Sequence, residues 1–480
     1  MTPPDISPGR LVPDQPVDAA ARPTPHQAAA DTGPLRDLTP APVDDRPHVV
    51  IVGAGFGGLS AARALGGAPV RVTLVDRQNY HLFVPLLYQV ATAVLSPADI
   101  AQPIRRLVAR HPNIDVVMGE VTGIDAASRR LILSNGYIPY DKLVIAAGST
   151  HGYFGHDEWA AHAPGLKTIE DARRIRGRLL RAFERAELEP DPAERSRLTT
   201  AVVVGGGPTG VEMAGALAGL IHRALSRDFR RIRPEAARIV LVEAGPRILS
   251  AFPQDLSDYA HRALQRLGVE VRLGEKVEAV EAGAVTVSGK VIPAETVVWA
   301  AGVQASPFGR WLGVPTDRAG HIPVGPDFAV PGVPDVYAIG DIAHVQDKDG
   351  KPLPGLAQVA QQEGRHLGRG LAALLGKGVP IPPFRFRNFG NWAVIGQHHA
   401  VADFGRTRMK GWSAWVMWCV IHIYLLIGFR NRLLVSVQWL WAWLTNERGA
   451  RLITDGAGQL STPASPPAVP PGAPVHKRPA

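Results

Sequence analysis

The sequence predicts an α/β fold of two Rossmann-like dinucleotide-binding domains followed by a C-terminal apolar helical segment, and three observations carry that reading. Glycine fingerprints follow apolar strands twice, in HVVIVGAGFGG and in AVVVGGGPTG. Each unit is closed by a similar strand, LVIAAGST after the first and TVVWAAGV after the second, and the spacing matches: Gly53 to Ala147 is 94 positions and Gly205 to Ala301 is 96. The third is the run from Trp412 to Leu444, WSAWVMWCVIHIYLLIGFRNRLLVSVQWLWAWL, which holds six of the ten tryptophans in 480 residues.

In the first unit a strand runs into Gly53-Ala54-Gly55-Phe56-Gly57-Gly58 and an Ala-rich helix, and a second strand ends at Asp76. Gly53 permits the tight turn, Gly55 lets backbone approach a pyrophosphate, and Gly58 lets helix pack on strand. The helix N-terminus offers free N–H groups and the positive end of its dipole to phosphates. Asp76 is placed to accept from a ribose hydroxyl. The second unit repeats the pattern with Gly205, Gly207 and Gly210 and a strand ending at Glu243. Two such sites in one chain imply two nucleotides. A third element, VPDVYAIGDIAHV, sets Gly340 and Asp341 at the end of a short apolar strand.

Composition bounds the rest. At this length and 46% hydrophobic content the chain exceeds one core and should divide into two or three domains. Residues 1–46 and 456–480 are Pro- and Ala-rich, with too little apolar material to offset chain entropy, and are expected to be disordered tails. The start, MTPPDISPGRLVPDQP, has neither the basic nor the apolar region of a secretory signal, so the bulk of the protein is expected in the cytoplasm. Single Cys419 excludes an internal disulfide and a thiolate metal cluster. The histidines show no paired ligand spacing, so no metal is expected. The net charge of +9 is spread through stretches such as DARRIRGRLLRAFERAE without an aromatic stacking motif, which argues against nucleic acid; most of it reads as a solvated face, with attraction to an anionic lipid surface as the functional alternative.

These fingerprints, in this order, resemble the two-dinucleotide-binding-domain flavoproteins, the group that contains glutathione reductase. The resemblance implies FAD on the first unit and NAD(H) on the second. It places Gly53, Gly55, Phe56, Gly57, Gly58, Asp76, Arg77, Val121, Ala147, Gly340, Asp341, Ala357 and Gln358 at FAD. It places Gly205, Gly207, Pro208, Thr209, Gly210, Glu243, Ala301 and Gly302 at the nicotinamide dinucleotide. Disulfide reductases and sulfide:quinone oxidoreductases work through cysteines, and the corresponding stretch here, NYHLFVPLLYQVATAVLSPADIAQPIRRL, has none.

That stretch, together with VEAGPRIL, AQVAQQ and LIGFRNRLL, is similar to the type II, non-proton-pumping NADH:quinone oxidoreductases, from His48 to Thr454. The similarity implies electron transfer from NADH to a membrane quinone, ubiquinone or menaquinone, as an entry to a respiratory chain. It places Gln358 and Gln362 at the quinone side of the flavin, where amide donors bond a carbonyl without a buried charge; the residues alone leave capping or flavin-backbone contacts open. It places Glu212 where nicotinamide meets flavin, to steer hydride or exchange a proton, beside the plainer reading of a helix-start acid favoured by the dipole. Glu243 should favour NADH over NADPH by repelling a 2′-phosphate, with Arg247 nearby as the opposing charge. The implied division is FAD domain at 47–150 and 319–375, NAD domain at 151–318, and a membrane-associated region at 376–455.

Between Lys410 and Arg430 nineteen residues carry no formal charge, about 28 Å as a helix and just enough to span a bilayer. Basic residues flank both ends, Arg406, Arg408 and Lys410 before and Arg430 and Arg432 after, which argues against crossing. Trp412, Trp415, Cys419 and His422 share a helical face, and Trp439 and Trp443 repeat at i,i+4. Amphipathic helices lying in the headgroup layer are therefore expected, on the cytoplasmic face of the inner (plasma) membrane. Two other readings stay open on the sequence: a soluble ferredoxin-type reductase whose tryptophans form a homodimer core, and a low-turnover NADH-binding flavoprotein sensor.

Overall fold

The computed structural model describes residues 36–453, apart from 42, 43, 348, 446 and 447. Most of both expected tails lies outside these residues. Residues 36–41, expected to be disordered, are instead held: Leu38 packs half-buried on the first domain's core, and its N–H donates to the Tyr137 carbonyl at 2.9 Å.

The first unit runs β1 (His48–Val52), α1 (Phe56–Ala64), β2 (Arg71–Asp76), α2 (Leu87–Ala91), β3 (Ile114–Met118) and β4 (Lys142–Ile145). The second runs α3 (Ile169–Leu188), β5 (Ala201–Val204), α4 (Pro208–Gly219), β6 (Ile239–Glu243), α5 (Gln254–Arg266), β7 (Val269–Leu273) and β8 (Thr296–Trp299). The chain then returns through β9 (Val336–Ala338) and α6 (Ala357–Lys377). The first sheet is ordered β9-β4-β1-β2-β3 and the second β7-β6-β5-β8, with parallel neighbours in both. β1 and β5 lie in the interior of their sheets, which is why HVVIV and AVVV are apolar without alternation and buried throughout.

Both fingerprints fold alike. Gly53 and Gly205 hold φ of +94° and +107°, and each donates its N–H to the second strand, to Val75 and Val242, at 2.8 Å. A Cβ on Gly58 would lie 1.8 Å from the Gly53 carbonyl oxygen, and one on Gly210 would lie 1.8 Å from that of Gly205. α6 packs on α1 just as closely, since a Cβ on Gly364 would meet the Gly57 oxygen at 2.0 Å. β9 and α6 thus rejoin the first sheet and its helix.

The last region, expected to be membrane-associated, is built into the fold. β10 (Asn391–Gly396), β11 (His399–Asp403) and β12 (Arg408–Gly411) form an antiparallel sheet on α4 and α5, so close that a Cβ on Gly215 would lie 1.5 Å from the Ile395 oxygen. α7 (Trp412–Leu425) and α8 (Phe429–Thr445) follow. LIGFRNRLL builds the corner between them: Leu426 is buried, Gly428 turns at φ +91°, and buried Asn431 donates to the carbonyls of Ala98 and Asp99 at 3.1 and 2.8 Å. Beyond α8, Arg448 donates to the carbonyls of Thr92 and Ala216 at 2.8 and 3.1 Å, tying the C-terminal region to α2 and α4 together. Among the described residues no helix is long and apolar enough to cross a membrane.

Gly58→Ala should lower the stability of nucleotide-stripped protein by about 1–3 kcal/mol, because the added methyl forces strand and helix apart. Gly55→Ala, with nothing within 4 Å of the new Cβ, should leave that stability within about 0.5 kcal/mol of wild type and weaken only nucleotide retention. Denaturant melts with and without bound nucleotide check both.

Candidate active site

Each glycine loop is closed by the acid that ends the following strand. Asp76 accepts from Ala54 N–H at 2.6 Å on one oxygen and from Gln78 N–H at 2.8 Å on the other. Burial raises its pKa against those two bonds, which lower it. Glu243 accepts from Gly206 and Gly245 N–H, both at 2.6 Å. The expected ribose acceptors are thus first of all braces for the loops, with lone pairs left over for a hydroxyl. Buried His81 supports the first loop from the other side, its Nδ1 2.8 Å from the Ala54 carbonyl.

The GD element is braced in the same way. Gly340, at φ +74°, donates its N–H to Glu363 at 2.6 Å. Glu363 is 1% exposed, and burial, with the nearby Asp341 charge, pushes its carboxyl up to about 7. Asp341 accepts from Ser149 Oγ at 2.9 Å and lies 3.7 Å from Lys167 Nζ. Ser149, Lys167, Glu363 and His81 were not singled out from the sequence. Their signal is three-dimensional, since Ser149 and Asp341 are 192 positions apart.

The remaining predicted nucleotide residues fall around these loops. Phe56 is half-buried in edge contact with His81 and Phe83, while Arg77, Pro208 and Thr209 are exposed at strand and helix ends. Ala147 and Ala301 follow β4 and β8 directly beneath Gly53 and Gly205, and Gly302 turns at φ +74°. Val121 opens a strand, Val121–Asp125, beyond β3. Among the described residues no side chain stands within 4 Å of the Cβ positions of Gly55 and Gly207, the two places where a pyrophosphate needs room. The cradles therefore fit two dinucleotides.

Gln358 and Gln362 lie on α6 and both face the 387–390 backbone. Gln358 donates to Gly390 O and accepts from Phe389 N–H, at 3.0 and 3.1 Å. Gln362 does the same with Arg387, at 2.9 and 3.1 Å. Glu212, on α4, accepts from Val394 N–H at 3.3 Å, and burial holds its carboxyl up to about 8. The phenol of buried Tyr88 is pushed well above its ordinary value by burial and by Glu212.

A row of rings leads from here into the C-terminal helices. Phe56 meets Phe83, Phe83 meets His422, and His422 stacks on Trp418, which stacks on Trp439, at centroid separations of 5.8, 6.3, 4.0 and 5.3 Å. Trp439 donates its indole N–H to Gln89 at 2.7 Å. This corrects the placement of Trp439 in a headgroup layer: it packs half-buried against the core beside the buried Trp418, whereas Trp443 stays 44% exposed. The face expected to join Trp412, Trp415, Cys419 and His422 divides, with Trp412 pointing out at 63% exposure and Trp415 and Cys419 packed inward. Helical periodicity finds an apolar face without saying whether protein or lipid covers it.

This geometry, two braced glycine loops on parallel sheets with a shared acid-and-glycine element, defines a two-nucleotide oxidoreductase. A family model for pyridine nucleotide-disulphide oxidoreductases matches residues 47–364, and one for the NDH2 C-terminal domain matches residues 389–446. Two Mycobacterium tuberculosis proteins, the type II NADH:quinone oxidoreductases NdhA and Ndh, are each 42% identical, over 86% and 85% of this chain and 91% of theirs. The mitochondrial internal alternative NAD(P)H-ubiquinone oxidoreductase A1 of Arabidopsis thaliana is 30% identical over 84% of this chain and 85% of its own. The chain belongs to the type II NADH:quinone oxidoreductases. Its fold agrees with that of Plasmodium falciparum NDH2 in complex with NADH, at TM-score 0.78 and 22% identity over 85% of this chain and all of that one.

The Glu212 carboxyl, with its pKa raised from 4.5 to about 8, binds its proton more tightly folded than unfolded. Its contribution therefore falls as pH rises from 4.5 toward 8 and is flat outside that window. Glu212→Gln should remove this slope, so the variant gains stability relative to wild type at pH 9 and not at pH 4. Parallel melting curves across pH 4–9 that differ by a constant would contradict the assignment.

Proposed function

We propose that this chain carries electrons from NADH to a membrane quinone through FAD, with no proton translocation. The observation that carries the reading is the duplicated, carboxylate-braced cradle joined to a C-terminal region whose outward side is apolar. FAD goes to the Gly53 loop, Asp76 and the Gly340-Asp341 turn, and the dinucleotide of NADH to the Gly205 loop and Glu243. Bound there, flavin supplies the two-electron exchange between a hydride donor and a quinone.

The chain's own residues orient, exclude and hold protons. Glu243 sets a negative charge where a 2′-phosphate would sit, and Arg247 is directed away from it, donating to the carbonyls of Phe252 and Ser250 at 2.7 and 2.6 Å. NADH is thereby favoured. Glu212 stays protonated at neutral pH beside Tyr88 and holds a proton that quinone reduction needs. Gln358 and Gln362 fix the 387–390 segment against α6 and reach the quinone by exchanging one backbone bond each, so they serve position as well as contact.

Access from lipid fits the outward side of α7 and α8. Trp412, Tyr424 and Phe429 are 63%, 72% and 80% exposed, with Leu433, Val437, Leu440 and Leu444 beyond them. Such contiguous apolar surface marks an interaction face, and helices too short to cross seat it on a membrane as a peripheral attachment.

Purified protein should reduce a soluble quinone analogue with NADH at a kcat/KM at least about tenfold above that with NADPH, a difference of roughly 1.4 kcal/mol. Equal constants would contradict the role of Glu243. Gln358→Ala and Gln362→Ala should each lower quinone reduction by about tenfold or more, the cost of one hydrogen bond to the acceptor. Ferricyanide reduction, which needs no such contact, should stay within about threefold on the same scale. A parallel loss of both activities with release of flavin would assign the two amides to structure alone.

A further inference from the structure

We propose that the cavity between α1, α6 and the α7–α8 corner binds the phosphate headgroup of an anionic membrane lipid. The inference rests on the membrane attachment proposed above and adds a discrete site to it. The cavity measures about 370 Å³. Arg63 enters it from α1 and Arg365 and Arg369 from successive turns of α6, and no carboxylate lines it. Arg63 donates to the Leu107 carbonyl at 3.0 Å, while Arg365 and Arg369 are exposed and pair with no carboxylate among the described residues. Three arginines thus line one cavity that holds no acid, and a phosphate, with oxygens for several forked donors, is the ligand their chemistry suits.

A second, independent feature points the same way. His81 lines the cavity and is 2% exposed. With Nδ1 donating to the Ala54 carbonyl, Nε2 is an acceptor, and among the described residues it has no partner. A buried acceptor left unmet is costly, and the hydroxyl of a glycerol-type headgroup would meet it. The cavity begins at Phe56, the first residue of α1 and one of the expected FAD contacts, and at Gln361; from there it runs past Leu59, Ser60 and Arg63 along the second and third turns of α1, so that its arginine end lies beyond the N-terminal N–H groups that face the nucleotide.

Lipid rather than a free anion is favoured by what continues the cavity. Ile427 forms part of its wall and sits in the corner between Tyr424 and Phe429, both apolar and exposed. A headgroup held by the arginines would lay its acyl chains across that corner. A soluble phosphate would leave the corner in water.

The test uses full-length, flavin-loaded protein in flotation with vesicles of phosphatidylcholine alone or mixed with phosphatidylglycerol. Wild type should prefer the anionic vesicles by at least about tenfold. R365Q/R369Q should cut that preference to about twofold or less while still floating, and R262Q/R266Q, an equal loss of exposed charge on α5, should keep it. The site is overturned if R365Q/R369Q keeps the preference, if R262Q/R266Q loses it equally, or if wild type floats alike with both vesicles. It is also overturned in favour of a soluble anion if inorganic phosphate or glycerol phosphate abolishes the preference at millimolar concentration. Failure of wild type to float with either vesicle would overturn the membrane reading together with the site.

Discussion

Every nucleotide cradle in this molecule depends on one interaction, a carboxylate accepting from the backbone N–H of a glycine turn. Asp76 makes it to the first loop, Glu243 to the second and Glu363 to the Gly340 turn, with distances of 2.6 Å in all three. A positive-φ turn is intrinsically loose, since glycine loses more backbone entropy on ordering than any other residue. A carboxylate bond, from the end of a buried strand for Asp76 and Glu243 and from helix α6 for Glu363, removes that looseness without placing a side chain in the ligand's path. The empty space at Gly55 and Gly207 is the other half of the same device.

The second constraint is how the two cradles are brought together. Helices α1 and α6 touch backbone to backbone through Gly57 and Gly364, and α4 meets β10 the same way through Gly215. The C-terminal region then spans both halves: Arg448 reaches α2 and α4, Trp439 reaches Gln89, and Val394 reaches Glu212. The tryptophan-rich helices therefore serve two surfaces. Their inner rings close the core over the site, and their outer side chains are left apolar and exposed.

Much of this was legible in the sequence because it is local. A strand, a glycine turn, a helix and a terminal acid fall within one short window, and each residue type has a single mechanical reason to be there. The duplication could be read in the same way, while the roles expected of the GD turn and the AQVAQQ helix came from resemblance. What could not be read is partnership at long range. Nothing near Glu212 announces that Val394, 182 positions away, holds its carboxyl. The amides of Gln358 and Gln362 do not reveal that the 387–390 backbone occupies them. Trp439 looked like a headgroup residue because its spacing is that of an apolar face, and only the position of Gln89 shows that this one ring packs inward. Asn431 in LIGFRNRLL was visible as part of a resemblance, yet its task of pinning α8 to residues 98 and 99 appears only in three dimensions.

The central claim, that one chain holds one flavin between a nicotinamide site and a quinone site, is tested most directly by anaerobic titration followed through the flavin absorbance. The account predicts that one equivalent of NADH per chain bleaches the flavin fully and that one equivalent of quinone restores it. Bleaching by NADH that quinone cannot reverse, or a flavin that NADH leaves oxidised, would contradict it.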